Sequence, residues 1–161
     1  NRAAHVTKPS KKNIKEIYFM REILESTAIV LACRNAKKKD IKKLREIAKF
    51  ERKMFNARNL DEYANANEQF HLEIARLANN DILYETIKKF TAQANIILSL
   101  FDRFYEFAKE DEVAWADENE RLISSIENRD EKKASGAMSN HIRRSFDTLA
   151  LDKLNKITSM V

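Results

Sequence analysis

The stretch NANEQFHLEIARLANN (65–80) predicts a helix whose apolar face is interrupted by two polar side chains. At 3.6 residues per turn, the apolar positions of this helix are Tyr63, Ala66, Phe70, Ile74, Leu77 and Ala78. Asn67 and His71 fall on the same face, one turn apart. Because the apolar face of a helix packs against the protein core, both side chains are predicted to point inward.

Two further polar residues lie on apolar faces of later helices. Asn119 shares its face with Leu122, and His141 shares its face with Met138. Burying one such group without a partner costs ~1–3 kcal/mol. Four inward polar groups on three helices are therefore best explained if they converge on each other, on water, on a metal or on a ligand. We interpret them as a candidate binding site.

The composition predicts an all-α protein. The chain has 161 residues, of which 43% are hydrophobic and 34% charged, and it contains one Gly and one Pro, which leaves little material for hairpin turns. No apolar run approaches ~18 residues and no signal-peptide pattern opens the chain, so we expect a cytoplasmic protein without membrane contact. The single Cys33 lies in an apolar run and is predicted to be a small buried residue.

Helical periodicity predicts an antiparallel bundle of six or seven helices around a central polar cavity. The first helices are predicted at 12–36, 40–58, 61–79 and 81–107, a fifth opens within 109–112 and ends near 128, and the last follows a corner at 128–130. Ser10 and Asp40 are predicted N-caps. The helix at 81–107 is apolar on most sides, which places it in the middle of the bundle. The second helix offers no candidate for chemistry.

The distribution of charged residues argues against a nucleic-acid surface on this chain. The formal net charge is +5, but basic and acidic residues alternate on nearly every helix, and the dense run at 37–43 is interpreted as a solvated helix end.

Arg21 falls within the apolar face of the first helix. Buried arginine needs an anionic partner, which is either Glu25 one turn later or the carboxylate of a ligand.

Three segments resemble the FCD family, the effector-binding C-terminal domain of FadR-type regulators in the GntR superfamily. They are IKEIYFMREILESTAIVLA (14–32), NEQFHLEIARLANND (67–81) and NERLISSIENRDEKKASGAMSNHI (119–142). The resemblance implies that residues 12–161 form an effector-binding and dimerisation domain of a homodimeric bacterial transcription regulator. Residues 1–11 would then be the linker from a winged helix-turn-helix domain, through which alone the protein would contact DNA.

The resemblance also implies which residues form the site. Many members of the family bind a divalent metal through one Asp and three His, whose places here are taken by Asn67, His71, Asn119 and His141. Two imidazoles and two neutral amides would hold Zn or Ni only weakly. We therefore expect a site that binds a small carboxylate through these four residues and Arg21, with a metal, if any, held weakly by His71 and His141.

Two alternatives from other classes remain open at this point. A ferritin-like metal protein is suggested by Glu68 three residues before His71, but the second copy of that pattern is missing because Met138 stands three residues before His141. The second alternative is a helical scaffold without ligand, in which the four polar residues form hydrogen bonds with one another. No phosphate-binding glycine loop or Ser/His/Asp set is present in the sequence, so an enzyme is not expected.

Overall fold

The computed structural model describes residues 9–100 and 112–149, with the backbone alone for Leu100 and for residues 112–117. These ranges contain six helices: α1 (Lys11–Asn35), α2 (Lys38–Asn56), α3 (Leu60–Leu77), α4 (Asp81–Leu100), α5 (Glu112–Glu127) and α6 (Glu131–Thr148). The described ranges contain no strand, which confirms the prediction of an all-α bundle. Among these six helices, none combines the length and the apolar character that a bilayer span requires.

Side-chain caps fix where α1 and α2 begin. The Oγ atom of Ser10 accepts a hydrogen bond from the backbone N–H of Asn13, at 3.2 Å, which confirms the predicted cap of α1. Asp40 has a different place from the predicted one, because α2 begins two residues earlier and Asp40 lies in its first turn. From there its Oδ2 atom accepts a hydrogen bond from the backbone N–H of Lys37, at 2.9 Å, and still satisfies one of the donors that a helix start leaves free.

Three of the helix corners use a left-handed residue, and none of these residues is glycine. Arg58, Asn79 and Arg129 have φ angles of 54°, 53° and 55° and follow the ends of α2, α3 and α5. A left-handed residue after a helix lets the chain turn back while the last carbonyl groups remain bonded. Asn79 is well suited to this conformation, whereas arginine is a less favourable residue for it than Gly or Asn.

Arg129 also closes the C-terminal end of α1. Its guanidinium donates hydrogen bonds to the backbone carbonyls of Cys33 (2.6 Å), Arg34 (2.8 Å) and Ala36 (3.2 Å). These carbonyls have no partner within the helix, and a positive charge is favourable at the negative end of the helix dipole. One side chain at the α5–α6 corner therefore satisfies three carbonyls at the end of α1.

The helix in the middle of the bundle is α1, so the prediction that the helix beginning at Asp81 occupies this place is wrong. α1 packs against α3, α4, α5 and α6, and its contact with α6 includes an ion pair of 2.6 Å between Glu22 and Arg143. α4 packs mainly against α1 and α3 and leaves Ile82 82% and Ile96 53% exposed. The prediction extended this helix to residue 107. Residues 101–107 lie outside the part of the chain that the structure describes.

Large apolar side chains from all the described helices form the core around α1. Its largest fully buried members include Ile14, Leu44, Phe70, Ile97 and Ile126. Cys33 is also fully buried and has no disulfide partner, as predicted. Burial raises the pKa of the Cys33 thiol to about 11, with nearby Glu131 and Asp130 acting in the same direction. The thiol is therefore protonated and unreactive at neutral pH.

Gly136 lies in the interior of α6, where glycine costs stability because the unfolded chain gains freedom. A Cβ atom at this position would meet no other atom within 4 Å. We therefore predict that Gly136→Ala raises the free energy of unfolding by about 0.5–1 kcal/mol. Urea denaturation with an unchanged m value would measure this gain, and a loss of stability would contradict it.

Candidate functional site

Eight polar side chains meet in the interior of the bundle, between α1, α2, α3, α5 and α6. We call this set the polar centre; its members are Arg21, Glu25, Glu51, Asn67, His71, Glu118, Asn119 and His141. Asn67 is partly buried and the other seven are buried. The structure thus brings together all five residues that the sequence singled out, and it adds three glutamates.

His71 and His141 face each other at the middle of the polar centre. Their Nε2 atoms are 3.4 Å apart. The Nδ1 atom of His71 is 2.5 Å from Oε2 of Glu25, and the Nδ1 atom of His141 is 2.9 Å from Oε2 of Glu118. Because an ionised carboxylate only accepts hydrogen bonds, we assign the proton of each imidazole to Nδ1. In this tautomer the Nε2 lone pairs of the two rings point at each other.

Arg21 is paired with Glu25, which was one of the two partners that the sequence allowed. The Nε atom of Arg21 is 2.7 Å from Oε1 of Glu25, and the two residues are 4% and 2% exposed. The guanidinium also lies 5.4 Å from the centroid of the Tyr18 ring. Burial alone would raise the pKa of Glu25, but the charge of Arg21 and the hydrogen bonds from Arg21 and His71 lower it to about 2. Glu25 is therefore ionised at neutral pH.

Glu51 brings a carboxylate from α2 into the polar centre, so the expectation that this helix carries no candidate is wrong. Asn67 donates a hydrogen bond from Nδ2 to Oε1 of Glu51 at 3.0 Å, and Asn119 donates one from Nδ2 to Oε2 at 2.6 Å. Burial raises the pKa of Glu51 above its ordinary value, although the two amides and nearby His141 oppose this. The two asparagines therefore meet on one carboxylate.

The sequence did contain a signal for Glu51. It lies at helical spacing with Leu44, Ala48 and Phe55, so it interrupts an apolar stripe in the same way as Asn67 does. Glu118 had a weaker signal, because it stands next to Asn119 in a helix with several other acidic residues. Periodicity identifies an inward side chain, but its partner is decided by the packing of separate helices.

The polar centre contains a buried hydrogen-bond acceptor that the described residues leave without a donor. The Oδ1 atom of Asn119 is buried and, within residues 9–100 and 112–149, has no hydrogen-bond partner. The Nε2 atoms of His71 and His141 belong to the same centre and contact each other at 3.4 Å. A buried acceptor without a donor costs about 1–3 kcal/mol, so a molecule that supplies donors would be stabilised here.

Two imidazole nitrogens are also the part of the centre that could hold a metal. Ligands about 2.0–2.1 Å from a tetrahedral zinc ion are about 3.4 Å apart, which matches the separation of the two Nε2 atoms. Glu25 and Glu118 would orient the rings from behind, as carboxylates do in metal sites. However, the described part of the chain has no group of three or more His, Cys, Asp or Glu side chains arranged for an ion.

A groove between α5 and α6 connects the polar centre with solvent. It has a volume of about 960 Å³ and is lined by residues of both helices, with Glu118 and His141 among them. Arg144 also lines it, and its Nη1 atom is 2.6 Å from Oε1 of Glu118. We call this feature the α5–α6 groove. Through it a small molecule could reach the two buried residues without opening the bundle.

Ionic and hydrogen-bonding contacts run from this groove to the central helix. Their order is Arg144, Glu118, His141, His71, Glu25 and Arg21. The contacts between successive members are at most 3.4 Å long, and the members belong to α6, α5, α3 and α1. These contacts connect Arg144 in the groove with the helix around which the bundle packs.

Comparison with known proteins gives one family and one curated relative. The sequence model of the family described as "FCD domain" matches residues 16–144. The chain is 27% identical over 130 residues to the Uxu operon regulator of Haemophilus influenzae. The matching part is 79% of this chain but only 47% of that protein, so the chain spans about half the length of this relative.

Solved structures with a similar fold include E. coli McbR/YncC, with a TM-score of 0.76, 20% identity, and coverage of 89% of this chain and 70% of that one. Another is Lar, described as controlling the expression of the Listeria monocytogenes agr system, with a TM-score of 0.69 and 14% identity. That match covers 86% of this chain and 64% of the other. At these identities the likeness shows the fold alone.

The Arg21–Glu25 pair generates a prediction about stability. Glu25→Gln leaves a buried guanidinium without its counter-charge and is expected to lower the free energy of unfolding at pH 7 by about 3–5 kcal/mol. The double variant Arg21→Met/Glu25→Gln should recover most of this loss. Because the pKa of Glu25 falls from 4.5 unfolded to about 2 folded, the stabilisation is complete above pH 4.5 and disappears as the pH falls towards 2.

Denaturation with urea between pH 2 and pH 7 measures both effects. The exposed pair of Lys12 and Glu16 is the matched control, since Glu16→Gln should cost less than about 1 kcal/mol. A loss at Glu25 as small as that of the control would contradict a structural role of the buried pair.

Glu51 gives a prediction of opposite sign. Its pKa is raised in the folded state, so the folded protein binds this proton more tightly and stability falls as the pH rises above 4.5. Glu51→Gln carries no charge to bury, and Asn119 can turn its amide so that Oδ1 accepts from the new side chain. We expect the variant to equal or exceed the original chain in stability at pH 7 and to lack this decline.

The measurement is urea denaturation from pH 4.5 to 8, with Glu46→Gln on the exposed side of α2 as control. A Glu51→Gln variant that kept the original pH dependence would show that the charge of Glu51 is not the cause.

Proposed function

The chain belongs to the FCD domain family, and from this premise we propose that it is the ligand-sensing and dimerisation domain of a bacterial GntR-type transcription regulator. The family match extends from α1 to α6. The similarity to the Uxu operon regulator supports this proposal and covers 47% of that protein. We therefore assign DNA contact to another part of the intact regulator, and we expect a cytoplasmic homodimer with a regulatory rather than a catalytic role.

The proposed effector is a small organic acid that binds at the polar centre. The observation that carries this proposal is a buried centre with incomplete hydrogen bonding, where Asn119 Oδ1 has no partner among the described residues. His141 belongs to the same buried centre and lines the α5–α6 groove. Asn119 and His141 would contact the effector first, while Asn67, His71 and Arg21 form the inner wall through Glu51 and Glu25.

A metal is not required by this proposal. His71 and His141 could hold Zn or Ni, but Asn67 and Asn119 supply neutral amides where the family pattern has a carboxylate and an imidazole. We therefore propose at most weak metal binding. An effector with a hydroxyl group would supply the missing donors directly, because a hydroxyl donates one hydrogen bond to an acceptor such as Asn119 Oδ1.

Binding would regulate DNA contact through the packing of the helices. The polar centre joins α1, α2, α3, α5 and α6, so an effector that favours one arrangement of these helices shifts the population of bundle states. In a dimer, such a shift changes the relative placement of two DNA-binding parts and thus their fit to the spacing of half-sites.

A helical scaffold without effector is the second candidate, because much of the centre is satisfied internally. Both oxygens of Glu51 already accept hydrogen bonds, and Arg21 is already paired. The ferritin-like alternative has less support. Oε2 of Glu68 accepts a hydrogen bond from Nδ2 of Asn95 on α4, at 2.7 Å, instead of joining His71 in a common site.

Thermal unfolding in the presence of small acids tests the proposal. A carboxylate that binds the folded state should raise the melting temperature, with a gain of about 2.7 kcal/mol at a concentration of 100 Kd. The panel should contain hydroxy acids, dicarboxylates and their uncharged amides, each with and without a chelator. Asn67→Asp is the matched variant, since a second carboxylate beside Glu51 should weaken acid binding and strengthen binding of Zn. If no acid shifts the melting temperature, the scaffold is the better description.

A further inference from the structure

We propose that the α5–α6 groove binds the anionic group of the effector, with Arg144 and Arg121 of its lining as the cationic contacts. This inference rests on the proposed function, namely that a small organic acid is sensed. It adds a location for the carboxylate and two residues that the sequence did not single out. The ligand class is a small carboxylate or dicarboxylate.

The polar centre itself offers no cation for a ligand. Arg21 is 4% exposed and its charge is balanced by Glu25 at 2.7 Å. In the assigned tautomers, His71 and His141 present lone pairs to the interior, and a lone pair repels the oxygen of a carboxylate. Glu51 adds a further carboxylate from α2. The negative charge of an acid must therefore be balanced outside this interior.

The α5–α6 groove has the cations that the centre lacks. Arg121 is exposed and, in the described ranges, forms no ion pair. Arg144 is 34% exposed and contacts the buried Glu118. The other basic groups of the groove include Lys133, which pairs with Asp130 at 3.1 Å, and Arg143, which pairs with Glu22 on α1 at 2.6 Å. Arg144 differs from them because its partner Glu118 also contacts a buried histidine, His141.

Arg144 has the chemistry for carboxylate binding and a link to the buried histidines. A guanidinium binds a carboxylate with two parallel hydrogen bonds, and its short contact with Glu118 shows that a carboxylate fits at this place. A ligand carboxylate would compete with Glu118 for Arg144. Glu118 would then be left to His141, whose Nε2 atom contacts His71. Binding at the groove thereby changes the charge balance that reaches α1.

The dimensions of the α5–α6 groove also suit a small molecule. Its volume of about 960 Å³ lies at the upper end of the range of about 300–1,000 Å³ that is typical of ligand pockets. Gly136 lines the groove, and a Cβ atom there would meet nothing within 4 Å. The first atom of a side chain at this position would therefore meet no neighbour. This makes Gly136 a position at which the groove can be blocked.

The test measures binding of succinate and citrate to the 161-residue chain by calorimetry, with succinamide as the uncharged probe. Gly136→Phe fills the groove and should abolish binding, whereas Gly136→Ala adds only a methyl group and should retain it. Arg144→Gln should weaken binding about tenfold to hundredfold, because one charged hydrogen-bonding partner is lost. Arg34→Gln is its control, since Arg34 forms a similar ion pair with Glu131 but does not line the groove.

Nitrogen-15 spectra of the imidazoles supply a second readout. Succinate should shift the Nδ1 signal of His141 in the original chain but not in Arg144→Gln. A purely structural role of Arg144 would not produce a shift that depends on succinate. Equal binding by the original chain, Gly136→Phe and Arg144→Gln would overturn the groove while acid sensing stands. If neither acid bound the original chain, both the groove as the carboxylate site and the sensing of a small organic acid would be overturned. Should Gly136→Phe fail to fold, Arg144→Gln and its control decide alone.

Discussion

A buried carboxylate must be stabilised by hydrogen-bond donors or positive charges of the protein. Three glutamates of this bundle are buried, and their partners are side chains on other helices or on another turn of the same helix. Removing the partner of a buried charge costs about 3–5 kcal/mol, so the helices that carry the partners cannot slide independently. The pairs join α1 with α3, α2 with α3 and α5, and α5 with α6. The carboxylates and their partners are Glu25 with Arg21 and His71, Glu51 with Asn67 and Asn119, and Glu118 with His141 and Arg144. Apolar packing holds the helices together, and these contacts set their register.

Most of the fold followed from local patterns, and the errors have a common physical origin. The start of α1 was predictable because the cap Ser10 acts on its own backbone, whereas α2 begins two residues before the predicted start. The place of a helix in the bundle was not predictable, because periodicity measures how much of a surface is apolar and not how many neighbours cover it. The helix from Asp81 is broadly apolar yet leaves Ile82 and Ile96 in solvent. α1, which contains the charged residues Arg21 and Glu25, is surrounded by four helices.

The candidate site shows the same limit at the level of single residues. The inward direction of Asn67 and His71 was predictable from spacing, whereas the identity of their partners was not, since Glu51 and Glu25 come from other helices. The resemblance to the FCD family implies a carboxylate at position 67, and here position 67 is Asn while a carboxylate enters from position 51. In this chain the carboxylate between the two amides therefore comes from α2. It keeps the interior strongly polar although Asn67 and Asn119 are neutral.

The packing of α1 against α6 has a consequence for biosynthesis. Glu22 bonds with Ser139, which lies 117 residues later in the chain, and with Arg143 one turn beyond. On the ribosome, α1 emerges long before its principal neighbour exists, and domains generally complete their folding only when all of their parts are available. During that interval the charged and apolar face of α1 is exposed to solvent and to other nascent chains. A chaperone would therefore find this face accessible during synthesis, and a chain that ends before α6 would leave it uncovered.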